Sequence, residues 1–221
     1  MRALFVSPHP DDAELGCGGL IHRLLREGAS VTVAVCTGEG DLKMAHSGES
    51  VPFLRRRREQ VRALSELGDI DLVWLNLAPA SQFDRVPQAT FVLAFDGLFR
   101  HFDQTFLPLP SYNSDHERVW RAGLAAFRPG KLSGTSLLAY EQPIQGHGEQ
   151  ATAGISGKCY YTLTTDDLAA KKRAILEHGS QVAGREDTLY GPAGIEALAK
   201  IRGLECGACY AELVYPLLEI R

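Results

Sequence analysis

An α/β fold built on a mostly parallel sheet is what this sequence predicts, and three observations carry the expectation. Short apolar runs alternate with segments of helical periodicity, the first two runs are apolar almost throughout, and a cluster of metal-ligating side chains follows directly on the first. Runs without polar alternation suit strands that helices cover on both faces. In chain order, Ala3–Val6 predicts a strand, Ala13–Glu27 a helix, Ser30–Cys36 a strand, Arg55–Leu67 a helix and Leu72–Leu75 a strand. Phe91–Phe102 reads as a further helix, Gln104–Leu109 as the strand after it, and His116–Phe127 as a helix again. Leu137–Tyr140 and Tyr160–Thr162 read as later strands, and Asp166–His178 as a helix that Thr164 and Thr165 can cap. Residues 141–158 are glycine-rich with little periodicity and predict a loop over a site.

Composition points to one catalytic domain spanning 1–221. The 221 residues are 45% hydrophobic and 23% charged, enough to bury a substantial core. A net charge of -4 and a pI near 6.0 provide no basic field for nucleic acid or an anionic membrane. The basic run Arg55-Arg56-Arg57-Arg58 leads into Glu59, Ala63, Leu64 and Leu67 at helical spacing, which makes it a solvated helix face. No apolar stretch approaches the ~20 residues of a membrane span, and Met1-Arg2 leads straight into a short strand, so a cytoplasmic protein is expected. A homo-oligomer is compatible with all of this. Five cysteines are an odd number and argue against a disulfide framework. Cys17 and Cys36 suit buried thiols, and Cys206 and Cys209 are expected to pack beneath a C-terminal strand.

Chemistry concentrates in Pro8-His9-Pro10-Asp11-Asp12, directly after the first strand. A turn or helix cap needs one such carboxylate and has no use for the histidine. If His9 and Asp12 bind a divalent cation, Asp11 is left beside them, able to take a proton from water as a general base. Active residues of open α/β sheets gather at strand carboxyl ends, so another ligand should follow another strand. Ser111-Tyr112-Asn113-Ser114-Asp115-His116 stands there after Thr105–Pro108, and His116 is the expected third ligand. Two imidazoles and one carboxylate suit a single catalytic zinc ion, with ferrous iron also compatible.

These residues carry a resemblance. Pro8-His9-Pro10-Asp11-Asp12, followed by Glu14, Leu15, Gly16, Gly18 and Gly19, resembles the opening motif of the LmbE-like or PIG-L family of metal-dependent N-deacetylases. Thr37-Gly38-Glu39 is similar to the family's turn after the second strand. Arg56, Glu59, Ala63, Leu67 and Gly68 fit its second helix, Asp115-His116 its Asp-His pair, and Lys171, Ala174, His178, Ser180 and Gln181 a later segment. The resemblance implies a Rossmann-like three-layer sandwich with a small C-terminal β/loop extension. It also implies a zinc hydrolase that removes an acetyl group from the nitrogen of an amino-sugar substrate. Asp11, Asn113 and Asp115 become the expected catalytic positions, and Glu39, Arg56 and the 141–158 loop the expected substrate wall.

One departure bears on mechanism. Where relatives read His-x-Asp-His, this chain has Asn113, which can donate to an oxyanion but cannot deliver a proton near neutral pH. Either Asp11 both removes and returns the proton, or another histidine serves, with His147 the first candidate. His46 could line the pocket, His178 could be packed or supporting, and His22 and His101 read as structural. Two further readings stay open: hydrolysis of another secondary amide such as a thiol conjugate, and a non-catalytic metal- or sugar-binding relative. Dinucleotide binding is disfavoured, because Ile21 stands where Gly-x-Gly-x-x-Gly needs its last glycine.

Overall fold

The computed structural model describes residues 1–43, 48–128, 134–143, 155 and 157–220. In chain order they form β1 (Arg2–Ser7), α1 (Asp12–Arg26), β2 (Ser30–Thr37), the short pair β3 (Leu42–Lys43) and β4 (Ser50–Val51), α2 (Phe53–Leu67) and β5 (Asp71–Ala78). Then come α3 (Gln88–Phe99), β6 (Gln104–Pro108), α4 (Ser114–Ala126), β7 (Thr135–Tyr140) and β8 (Cys159–Leu163). The chain closes with α5 (Thr165–Glu177), α6 (Gly179–Val182), α7 (Pro192–Cys206) and β9 (Tyr210–Ile220).

The main sheet has the order β5-β2-β1-β6-β7-β9-β8. The first five strands pair in parallel, while β9 runs antiparallel to both of its neighbours. Side chains alternate across a strand, so β1 feeds two layers. Ala3 and Phe5 join the core under α1, α2 and α5, whereas Leu4 and Val6 join the core under α3 and α4. In α3, Phe91, Phe95 and Phe99 form one buried stripe at four-residue spacing. The expected three-layer α/β arrangement is therefore present. Strand order reverses between β1 and β6, and an open α/β sheet places its crevice outside the carboxyl ends of such a pair.

The last fifty residues are more than an extension. They contain α7, which begins with Pro192 at its first turn and stops at Gly207 in the left-handed region (φ 77°). They also contain β9, which lies inside the main sheet.

The glycines near the start of α1 answer to packing. The helix kinks at Cys17 (φ -135°, ψ 17°), and a Cβ on Gly16 would lie 2.3 Å from the Tyr140 ring. One on Gly18 would lie 2.9 Å from Lys171 Cγ. Beyond the kink, the amides of Gly19 and Leu20 donate to Glu212 at 3.1 and 2.6 Å, and Lys171 Nζ pairs with the same carboxylate at 2.5 Å. These glycines admit neighbouring side chains instead of a dinucleotide.

Two expectations need correction. Cys206 and Cys209 are exposed, because they bracket the turn that ends α7 and do not lie beneath β9; Cys17 and Cys36 are buried as expected. The basic run is only partly solvated, since Arg56 is buried while Arg55 and Arg58 face solvent. No helix among the described residues is long and apolar enough to cross a membrane.

Candidate active site

At the end of β1 the chain is folded tightly on itself. Ser7 Oγ donates to His9 O at 2.6 Å and accepts from Ala13 N at 3.2 Å, and His9 N donates to Asp12 Oδ2 at 2.8 Å. Thr37 holds the same turn from β2, donating its amide and hydroxyl to Pro8 O. Between the two ligand candidates, Asp11 adopts φ 114° and ψ -29°, a conformation costly for a residue with a Cβ. Helix α2 restrains it. Gln60 accepts from Asp11 N at 3.0 Å, and Arg56 Nη2 donates to Pro10 O at 2.8 Å and stands 3.4 Å from Asp11 Oδ2.

The second half of the site follows β6. Asn113 caps α4, its Oδ1 accepting from Asp115 N at 3.0 Å, and so delivers Asp115 and His116 from the first turn. Asp115 is fully buried and accepts three hydrogen bonds, from His9 Nε2 at 2.8 Å and from the amides of Ser81 at 2.6 Å and Phe83 at 3.2 Å. Its carboxylate thus fixes the His9 ring, leaving Nδ1 facing Asp12 Oδ2 at 3.2 Å. His116 mirrors this, with Nδ1 at 3.2 Å from Ser111 Oγ and Nε2 at 3.3 Å from Asp12 Oδ1.

One donor atom each from His9, Asp12 and His116 lies within 4.8 Å of the others, and all three residues are buried. Each imidazole has its outer nitrogen engaged and its inner one turned to the common centre, the arrangement that metal-binding histidines adopt. The electrostatics agree. Burial opposes a charge on His9, yet hydrogen bonds to Asp115 and Asp12 prevail and raise its pKa to about 9. Burial likewise opposes the charge on Asp12, but His116 and His9 hold its carboxyl well below the usual range. The pocket thus favours a positive charge at its centre, and the donor set fits a divalent cation.

Asp11 responds in the opposite sense. Burial raises its pKa to about 6 against the pull of Arg56, with Asp12 adding to the rise.

A cavity of about 200 Å³ opens over this centre. Asp11, Arg56, Asn113 and His178 line it, together with Tyr112 and Tyr190, whose hydroxyls meet at 2.8 Å. The expected wall is only partly present. Glu39 is exposed and outside the cavity lining, because Thr37 is tied to Pro8 and the chain turns outward after Gly38. His147 and His46, like most of the 141–158 loop, lie outside the described residues.

Sequence reading missed Gln142, which is buried in the wall and donates to Asp12 O at 3.1 Å and Oδ1 at 3.3 Å. Its position just past a strand's carboxyl end was the available signal.

The PIG-L model, described as GlcNAc-PI de-N-acetylase, matches residues 4–127. The chain belongs to the PIG-L family. The match takes in both halves of the candidate metal site but not Gln142 or His178. Among relatives of this PIG-L chain is a 1D-myo-inositol 2-acetamido-2-deoxy-alpha-D-glucopyranoside deacetylase 2 of Saccharopolyspora erythraea, 39% identical over 80 residues. That match spans 33% of this chain and 29% of the relative, well under two thirds of its length.

Two of the solved structures that share the fold seen here cover nearly the whole chain. The zinc-inhibited form of teicoplanin deacetylase Orf2 superposes with a TM-score of 0.77 at 15% identity, covering 99% of this chain and 98% of its own. GalB, the 4-carboxy-2-hydroxymuconate hydratase of Pseudomonas putida KT2440, gives 0.70 at 16% identity, covering 100% and 97%. A deacetylase and a hydratase on one architecture show that fold alone does not fix the reaction.

Proposed function

We propose that this PIG-L chain is an N-deacetylase that hydrolyses the acetamido group of an amino-sugar substrate. The observation that carries the reading is the restrained Asp11 carboxylate beside the converging His9, Asp12 and His116. His9, Asp12 and His116 would hold one divalent cation, zinc before ferrous iron. A cation held there supplies the Lewis acidity that makes water nucleophilic near neutral pH and polarises an acyl oxygen.

The chain's own residues do the rest. Asp11, with its pKa raised to about 6, is ionised at neutral pH yet basic enough to take a proton from the attacking water. Arg56 holds that carboxylate and forms part of the cavity wall. Asn113 has its carbonyl oxygen committed to capping, which leaves its amide hydrogens to face an oxyanion. Asp115 acts by positioning His9 and does not itself touch the reacting atoms.

All 221 residues form one catalytic domain in this reading, since the cavity draws on residues from His9 to Tyr190. The five unpaired cysteines suit a reducing, cytoplasmic compartment.

A panel of N-acetylated amino sugars, nucleotide sugars and thiol-linked glycosides, scored by released acetate, tests the proposal. Zinc-loaded protein should release acetate from at least one of them, and the Asp11→Asn variant should not. Turnover confined to non-acetamide substrates, such as addition of water to a carbon-carbon double bond, would overturn it.

A further inference from the structure

Glu14 and His178 are buried ionisable neighbours without a role in that reading, and each has a side-chain atom left without a hydrogen-bond partner. Glu14 is in the first turn of α1, and His178 stands at the junction of α5 and α6. They are 0% and 1% exposed. His178 Nε2 lies 3.6 Å from Glu14 Oε1, an ion-pair distance too long for a hydrogen bond, and neither His178 Nε2 nor Glu14 Oε2 has a hydrogen-bond partner. Folded proteins pair nearly all such atoms, so an unpaired couple requires a reason.

The surroundings fix the backbone turn that carries His178 while leaving Nε2 untied. His178 O accepts from the amides of Gln181 at 2.8 Å and Val182 at 3.1 Å, and Glu59 grips the next turn through Ser180 N at 2.9 Å and Ser180 Oγ. Glu14 is held in turn by Gln60, the same residue that fixes Asp11 N. His178 also lines the cavity that Asp11 lines. The charged groups facing it are Glu14 from α1, Asp11 from the turn after β1, and Arg56 from α2. Burial lowers the pKa of His178, but Glu14 outweighs burial and raises it above its ordinary value.

We propose that His178 is the proton donor to the departing amine, the part that Asn113 cannot play. The inference rests on the deacetylase reading above. After water has added to the acyl carbon and given its proton to Asp11, the C–N bond breaks with its electron pair going to nitrogen. His178 supplies the proton that nitrogen takes up. The proton on Asp11 then restores the charge of His178, so each cycle consumes one water, releases acetic acid and an amine, and leaves the enzyme unchanged.

The test compares pH profiles and charge states in metal-loaded protein, on the best substrate of the panel. His178→Gln should lower kcat by about 10²-fold or more with little change in KM, and should abolish the alkaline limb of the profile. Glu14→Gln should move that limb to lower pH, because the carboxylate that holds the imidazolium is gone. Nitrogen-15 spectra of the unaltered protein should show His178 protonated at neutral pH. A variant slowed at every pH with the profile's shape intact, or a His178 that is neutral below pH 7, overturns the assignment while the deacetylase reading stands. Absence of acetate from the unaltered protein overturns both.

Discussion

At the scale of single residues, this site separates a proposed ligand from a proposed base by one position and a backbone strain. Asp12 points inward and Asp11, at φ 114°, is swung toward Arg56. Asp11→Asn should therefore keep its metal yet lose about 10²- to 10⁴-fold in turnover, read by elemental analysis and acetate release on one preparation. Because burial raises the pKa of Asp11 to about 6 from its ordinary value, the base is lost as pH falls through that value, and turnover should decline on the acid side there. A profile flat from pH 7 to pH 5 would contradict the assignment. Asn113 offers a second probe. Asn113→Ala should slow turnover by roughly 10²-fold with metal content kept, as removal of one oxyanion donor does elsewhere, and unaltered kinetics would leave it as a helix cap alone. His9, Asp11, Asp12 and His116 were legible because ligand chemistry sits within a few residues at strand ends. Gln142, Gln60 and the amides of Ser81 and Phe83 were not: they act across long sequence separations, and a backbone amide leaves no mark on composition.

At the scale of elements, the strands and helices that form the parallel half follow from their apolar periodicity, and so they were readable within a few residues. Helix α2 begins at Phe53 instead of Arg55, and α3 spans Gln88–Phe99, a turn earlier than its apolar stripe suggested. Helix α7 escaped notice because its small residues, such as Ala193, Gly194 and Ala197, give a weak apolar stripe, although Pro192 and Gly207 marked its ends. The kink in α1 was also hidden, since its cause lies in β9 and α5. Glu212 takes the two amides that the kink frees, and Lys171 neutralises it, both side chains being 4% exposed. Removing one partner leaves the other charge buried and uncompensated, so Lys171→Met should destabilise the fold by about 3–5 kcal/mol. Denaturant melting of the metal-free variant reads this, and a loss below about 1 kcal/mol would show that the pair is screened by water.

At the scale of the whole molecule, the His9–Asp12–His116 site favours positive charge, and a cation bound there would have to displace whatever proton it holds. His9 in the metal-free protein holds a proton up to about pH 9. Zinc binding near pH 7 should therefore expel a proton, and apparent affinity should climb between roughly pH 7 and pH 9 and then level off. Calorimetry in buffers of different ionisation heat checks the proton count; binding without release would refute it. The sheet order carries a last consequence, for biogenesis. β8 pairs with β9, and β9 separates it from β7, so the last of these three strands to leave the ribosome is the wedge between the two made earlier. Glu212, which steadies the helix bearing Asp12, travels on that strand. A nascent polypeptide still lacking residues 210–220 thus has β7 without one neighbour and β8 without a place in the sheet, and such unpaired edges invite aggregation. Metal loading of the proposed site should accordingly follow the emergence of β9, and arrested translation products ending before Tyr210 should neither retain zinc nor survive proteolysis.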